Sequence, residues 1–367
     1  MGNHKGKPRI KKDHIHYDSR KMDKYNRAFN FLISMRETGK STAIINKIMK
    51  MYVHHHRPSL VIRRQIVDID EAYIQDLIKP YNKFKKPEHR ISLYLKKGDI
   101  KSGIVDCFLD AKMTKLLFRV QALSIPNSRG KSRMLDDLGY IFFDEYLINP
   151  LKKEKYIDGE VDSFRELYNT YYRDARDRGH SVRCFFCGNP YTVFNPFHAW
   201  LNIPLSKIKR GSFLVGKNWT LECIDMSPEL RELILKTNPL YDEEDPYMRY
   251  AFDGQAIADE RFIIGTRPLN AKLKFVFRIS DKYLLIWNAS TENNSVGKYY
   301  CETQIEKPET SKVIRAVDFN NLIQDTRLID FDIKELFSSI KLAIQLRQMC
   351  YKDVECGYLI QQLYLLI

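Results

Sequence analysis

The sequence predicts an α/β protein: a mostly parallel sheet with helices on both faces, then a small helical linker and a second, α+β domain. Three observations predict it. A short apolar strand runs directly into Gly39-Lys40-Ser41 and a helix; strand-length apolar runs alternate with amphipathic segments to about residue 190; and the run Tyr140 to Phe143 ends in two carboxylates, Asp144 and Glu145. At 367 residues the chain is too long for one ordinary core. The character of the sequence changes near 24, 204 and 246, which divides it into 1–24, 25–204, 205–246 and 247–367.

Residues 1–24 read as a basic arm, with Lys5, Lys7, Arg9, Lys11, Lys12, Arg20, Lys21 and Lys24 and almost nothing to pack. Such a run is either a solvated tail or a contact for nucleic-acid phosphates. The alternation then begins. Ala28 to Ser34 is the first strand, and Thr42 to Tyr52 carries Ile44, Ile45, Ile48 and Met51 at helical spacing. Leu60 to Ile62 is a second buried strand that runs into Arg63-Arg64. A helix from about Asp68 to Ile78 is expected to end before Pro80. Segments within 91–123 read as added strands, Gly139 to Phe143 as the next core strand, Val161 to Ala175 as a helix and Val182 to Cys187 as another strand. Residues 205–246 are charged and punctuated by proline, which predicts the helical linker. In 247–367, Phe275 to Phe277 and Tyr283 to Trp287 read as paired strands, and Ile333 to Met349 as an amphipathic helix.

Bulk properties narrow the function classes. The net charge of +14, from 60 Lys+Arg against 46 Asp+Glu, favours a polyanionic partner, nucleic acid ahead of an acidic membrane surface. No apolar run approaches the length of a membrane span, and no apolar signal core follows the basic N-terminus. Seven cysteines, an odd number without a framework, argue against a secreted disulfide scaffold. A soluble protein in a reducing compartment is expected.

The chemistry concentrates in two places. Ser34, Met35, Arg36, Glu37, Thr38, Gly39, Lys40, Ser41 and Thr42 lie between strand and helix, the context a phosphate cradle requires. Gly39 lets backbone approach phosphate oxygens, Lys40 is placed for the β and γ phosphates of ATP, and the Ser41 hydroxyl for Mg²⁺. Ser34 stands where such loops usually have their first glycine. A carboxylate pair after a buried strand supplies the rest: Asp144 to hold Mg²⁺ and Glu145 to orient and deprotonate the attacking water. With the added strands, this is a P-loop NTPase of the additional-strand, catalytic-glutamate type. Arg36, inside the loop, is either solvent-facing or a nucleotide-sensing cation. Asn189, at the tip of the strand ending in Cys187-Gly188, is positioned for the attacking water or the γ phosphate. Cys184 and Cys187 have CxxC spacing without a second pair, so core thiols are expected. His54-His55-His56 cannot share one helix face and reads as an exposed helix end.

In residues 27–200 the chain resembles the DNA-packaging ATPases, or encapsidation proteins, of small Picovirinae-type podophages. The resemblance rests on RAFNFLISMRETGKS, LVIRR, GYIFFDEYL, the helix from Glu160 to Arg173, and CFFCGNPYTVFNPF, in that order. It implies a homopentameric ring motor at the portal, or connector, of an empty capsid, driving double-stranded DNA inward with a structural RNA as a further partner. It implies a place in the host cytoplasm, transiently docked on the procapsid and absent from the mature virion. By matching position it also implies that Lys131 and Arg173, with Arg176 or Arg178 as alternatives to Arg173, act in trans on a neighbour's ATP. The C-terminal domain, by the same resemblance, is RNase H-like, a vestigial nuclease that binds nucleic acid. Asp281, Asp318, Asp330 and Asp332 are scattered, so cleavage is not expected, while Lys272, Lys274 and Arg278 beside Phe275 and Phe277 suit either a nucleic-acid surface or an edge strand with ordinary charges. Two alternatives remain: a helicase, whose further motifs are not found, and a slow assembly or adaptor ATPase, which has no need of a second carboxylate at Glu145.

Overall fold

A computed structural model of the chain describes residues 17–237 apart from 36, 84, 97–98, 126–133, 149–155, 158, 191–194, 205–207 and 209, and beyond them 263–279, 282–289, 299–311, 314–317, 340, 343, 348–353, 355–357 and 359–360. Strands β1 (Phe29–Ile33), β2 (Ser59–Arg63), β3 (Tyr94–Leu95), β4 (Ile104–Phe108), β5 (Leu116–Ala122), β6 (Tyr140–Asp144), β7 (Arg183–Gly188), β8 (Phe213–Val215) and β9 (Trp219–Cys223) form one sheet. Their order is β3-β4-β5-β2-β6-β7-β1-β9-β8. The six central strands, β5 to β9 in that order, are parallel, and an antiparallel strand or hairpin closes each side.

Both faces of the sheet are covered, which is why its strands read as unbroken apolar runs. Side chains alternate between the two faces. Phe29, Phe31, Ile33, Ile141, Phe143 and Phe186 pack with Phe164, Leu167 and Tyr171 of the helix Glu160–Asp177. Leu32, Val61, Phe142 and Phe185 pack on the opposite face with Ile44, Ile45 and Ile48 of the helix Lys40–His55 and with Ile74, Leu77 and Ile78 of Glu71–Lys83. With the short helix Arg20–Asp23 as α1, these three are α4, α2 and α3 respectively. One polar side chain sits in the middle of the sheet. Asn30 donates to the carbonyls of Cys184 at 3.1 Å and Arg27 at 2.8 Å, and accepts from the Thr220 hydroxyl at 2.9 Å, which ties β1 to both neighbours.

The end of the basic arm is packed, not loose, with Arg20–Asp23 helical and Met22 fully buried. Three further elements differ from expectation. Helix α3 continues through Pro80 to Lys83. The ring removes only the bond that residue 80 would make to the carbonyl four residues back, and the buried Ile74, Leu77 and Ile78 hold the helix in place. Residues 213–223, expected within a helical linker, instead form β8 and β9, so the sheet extends past residue 204. Trp219, Thr220, Leu221 and Cys223 are all buried, and β9 gains a parallel partner in β1, a non-local pairing that outweighs the charged surroundings. Helices α5 (Pro196–Trp200) and α6 (Pro228–Thr237) flank this segment. Third, Met349 opens a strand where the end of a helix was expected; of the residues described before it in that segment, Ile340 and Ala343 are helical and buried and Gln348 is exposed and not helical.

The second sheet contains β10 (Ile263–Ile264), β11 (Lys272–Ile279), β12 (Lys282–Asn288), β13 (Tyr299–Gln304), β14 (Ile314–Val317) and β15 (Met349–Tyr351), in the order β10-β15-β13-β12-β11-β14. β11, β12 and β13 form an antiparallel meander, flanked by β14 parallel to β11 and by β15 parallel to β13. Ile340 and Ala343 pack on it beside Phe277, Leu284 and Cys301. No helix among the described residues is long and apolar enough to cross a membrane.

At the end of β7, a Cβ on Gly188 would come within 2.8 Å of Leu147 Cδ1 and Tyr146 Cε1. Gly188→Ala is therefore expected to destabilise the protein by about 1–3 kcal/mol through overpacking, seen as an earlier midpoint in urea unfolding with an unchanged slope.

Candidate active site

Because the central strands are parallel, Ile33, Arg63, Asp144 and Gly188 all end at one edge, the carboxyl edge where ligands sit in open α/β sheets. The segment Ser34–Thr42 leaves β1 there and enters α2. Its backbone is unusual at two points: Glu37 (φ 64°) and Gly39 (φ 85°) lie in the left-handed region, and Gly39 caps α2. The departure at Ser34 has a structural use. Its hydroxyl shares a 2.5 Å hydrogen bond with that of Thr38, which pins the loop's entry to its exit inside the protein.

Lys40 is buried, and its ammonium donates to the carbonyls of Ser34 (3.3 Å) and Met35 (3.2 Å) and to Asn189 Oδ1 (2.8 Å). Asn189, the residue after β7, thus meets the lysine directly. A cleft of about 830 Å³ opens beside Gly39, Lys40, Ser41 and Thr42, walled also by Tyr17 and by Lys79, Pro80 and Lys83 of α3. Tyr17 closes the end of the N-terminal segment onto the loop: its N–H donates to the Thr38 carbonyl (2.9 Å) and its hydroxyl to Glu222 Oε2 (2.8 Å).

The second group of residues lies around Asp144. The Ser41 hydroxyl donates to Asp144 Oδ1 at 3.2 Å, and the Tyr73 hydroxyl donates to Oδ2 at 3.2 Å. Arg63 Nη1 stands 3.5 Å from Oδ2 of Asp144 and Arg63 Nη2 2.8 Å from Oε2 of Glu145. Burial pushes the Asp144 carboxyl up; the Arg63 guanidinium opposes the rise and the Glu145 charge adds to it. Burial also pushes the Tyr73 hydroxyl up, so it stays a donor. Glu145 has φ 56°, an uncommon conformation for a residue with a side chain, and its carboxylate is half-exposed. Arg64 braces it from behind, donating to the Glu145 carbonyl (3.3 Å), to the Tyr146 carbonyl and to Glu160. Hydroxyl and carboxylate oxygens 3.2 Å apart are the hard donors Mg²⁺ takes, and the first-turn N–H groups of α2 with the Lys40 ammonium fit a polyphosphate.

The remaining sequence candidates separate from this group. Arg173 lies on the exposed side of α4, its Nε donating to the Asn169 carbonyl. Thirteen residues, about 20 Å of helix, separate it from Glu160 at the acidic end of the site. It therefore does not reach its own chain's Glu145. Arg36 and Lys131 lie outside the described residues, as do Asp281, Asp318, Asp330 and Asp332. Cys184 and Cys187 are buried core thiols, and His54 and His55 are exposed in the last turn of α2. Sequence reasoning missed Arg63, Tyr73 and the Arg64–Glu160 pair. The two arginines carried a signal, being cations directly after a buried strand whose end belongs to the ligand edge. Tyr73, one tyrosine of 22, carried none.

The family described as Podovirus DNA encapsidation protein (Gp16) matches residues 11–356 of the chain. The DNA packaging protein of Bacillus phage phi29 is 26% identical over 278 residues, 74% of this chain and 75% of that protein. That of Bacillus phage B103 is 27% identical over 263 residues, 70% and 73%. Two solved structures share the fold: the Phi-28 gp11 DNA packaging motor, with a TM-score of 0.60 at 16% identity over 95% of this chain and 97% of that one, and the bacteriophage Phi-29 viral genome packaging motor assembly, with 0.54 at 19% over 95% and 98%.

Arg63 is the cation shared by Asp144 and Glu145. Arg63→Ala is expected to cost about 3–5 kcal/mol by stranding a buried carboxylate. Adding Asp144→Asn should restore part of that loss, as measured by urea unfolding of both variants.

Proposed function

This chain belongs to the family of podovirus DNA encapsidation proteins (Gp16) as a genome-packaging motor ATPase, and on that premise we propose that it couples Mg²⁺-dependent ATP hydrolysis at Ser34–Thr42 to translocation of double-stranded DNA. The observation that carries the site assignment is the 3.2 Å approach of Ser41 to Asp144 beside a carboxylate, Glu145, held by Arg63. Lys40 and the first N–H groups of α2 bind the phosphates, and Ser41 with Asp144 holds Mg²⁺. An ion held by these two residues would supply neutralisation of phosphate charge. Glu145 takes the proton of the attacking water. Turnover requires Glu145 to give up its 2.8 Å bond to Arg63, so that a carboxylate oxygen is open to the water. Asn189 holds the Lys40 ammonium and presents its amide toward the γ phosphate.

The motor is a ring, a homopentamer docked on the capsid portal in the host cytoplasm, with double-stranded DNA and a structural RNA as polyanionic partners. The net charge of +14 supports the polyanions. Arg173 and Lys131 serve the neighbouring subunit's ATP, and for Arg173 the support is its distance along α4 from Glu160. An arginine finger contributes about 10³–10⁵ in rate. The second sheet binds nucleic acid without cutting it: β11, KLKFVFRI, carries Lys272, Lys274 and Arg278 and no carboxylate.

Three assays test this. Glu145→Gln should retain ATP binding and lose turnover; near-normal turnover would remove Glu145 as the base. Arg173→Ala subunits should be inactive alone yet offer a competent loop to wild-type neighbours, and hydrolysis by monomers untouched by the substitution would sink the trans role. Hydrolysis should rise with double-stranded DNA and the stimulation fade steeply with salt. Turnover indifferent to DNA, but abolished in Glu145→Gln, would instead favour a slow assembly ATPase.

A further inference from the structure

Arg64 is 7% exposed and Glu160 2% exposed, and neither belongs to the phosphate or Mg²⁺ machinery. Their pairing is bidentate: Arg64 Nε donates to Glu160 Oε2 at 2.9 Å and Nη2 to Oε1 at 3.2 Å. The rest of the guanidinium is spent on backbone. Nη1 donates to the Glu145 carbonyl at 3.3 Å, and Nη2 to the Tyr146 carbonyl. The rings of Phe143 and Tyr156 lie 5.7 and 5.1 Å from its centre, which locks the plane of the fork. Glu160 is equally committed. It is the first residue of α4, its Oε2 also accepts the Ile157 N–H at 3.0 Å, and burial pushes its carboxyl up against the downward pull of Arg64.

A buried ion pair is a weak source of net stability, and apolar replacements often serve as well. What an apolar pair cannot do is reach two main-chain carbonyls and a helix terminus at once. We infer that Arg64 and Glu160 are positioning residues that lock the left-handed peptide of Glu145 to the first turn of α4, so that the hydrolytic carboxylate moves with that helix. The inference rests on the assignment of Glu145 as the base. Helix α4 is 18 residues long and carries Arg173 near its other end. The same rigid rod therefore holds the chain's own base at one end and, at the other, the cation offered to a neighbour. A tilt of α4 on engaging that neighbour is transmitted through the Arg64 fork to the Glu145 carbonyl. Each subunit's hydrolytic geometry is in this way made sensitive to what its own Arg173 is doing.

The test uses the full chain and ATP itself. Arg64→Lys keeps the charge opposite Glu160, but one ammonium cannot span the carboxylate and both carbonyls; Glu160→Asp keeps the charge and withdraws it by one methylene. Both are assayed for kcat, KM and fluorescent-ADP affinity below their melting transitions. The expected outcome is a fall in kcat of about 10²-fold, the effect of a displacement on the order of 1 Å, with KM and ADP affinity within about twofold of wild type. Unchanged kcat in both variants overturns the inference. So does a parallel loss of kcat, ADP affinity and melting temperature, which marks a merely structural pair. Glu145→Gln run alongside separates the two levels: if it still turns over, the assignment of the base has failed, whatever the pair does.

Discussion

Asp144 is a carboxylate drawn out of water at the end of a buried strand, and most of what surrounds it answers that constraint. Its two oxygens are met by the hydroxyls of Ser41 and Tyr73 and by Arg63, from α2, α3 and β2 respectively. None of these partners suffices alone. Burial still holds the Asp144 carboxyl above its usual range, against the pull of Arg63. A divalent cation there has its ligands already oriented. The helices that cover the sheet thus carry the partners as well as the core.

The neighbouring arginines divide the work. Arg63 points its fork at side chains, Asp144 and Glu145, and can let go of one while keeping the other. Arg64, one residue on, points at main chain and at Glu160 in the interior. Alternation along a strand explains the division, since successive residues face opposite sides of the sheet. One arginine reaches the α3 side, where Tyr73 lies under its guanidinium at 4.7 Å; the other reaches the α4 side. A single slip in register would exchange them and leave both carboxylates without their cation.

The polar contacts far from the acid pair also converge on the loop. Asn30 stitches β1 to β7 and β9, which fixes the strand that delivers Ser34. Tyr17 joins the Thr38 carbonyl to Glu222 of β9, so this part of the N-terminal segment ends on the phosphate loop. Gly188 has no room for a side chain because Tyr146 and Leu147 turn back over β7 immediately after the acid pair.

Local chemistry was legible in the chain itself. Gly39, Lys40, Ser41, Asp144 and Glu145 could be singled out because strand, turn and helix signals sit beside them, within a few residues. The buried strands were legible for a similar reason: parallel strands covered on both faces are written as continuous apolar runs. Strands β8 and β9 were not: they pair with each other as a hairpin, but it is β1, 190 residues earlier, that joins Trp219 to Cys223 to the sheet. The same holds for the site's support. Nothing local to Tyr73 or Glu160 marks either one; their roles exist only after α3 and α4 have packed on opposite faces and brought them to the end of β6. Periodicity and motif spacing report what a residue does with its neighbours in sequence. The partners of a buried charge are chosen by packing, and packing belongs to the tertiary structure alone.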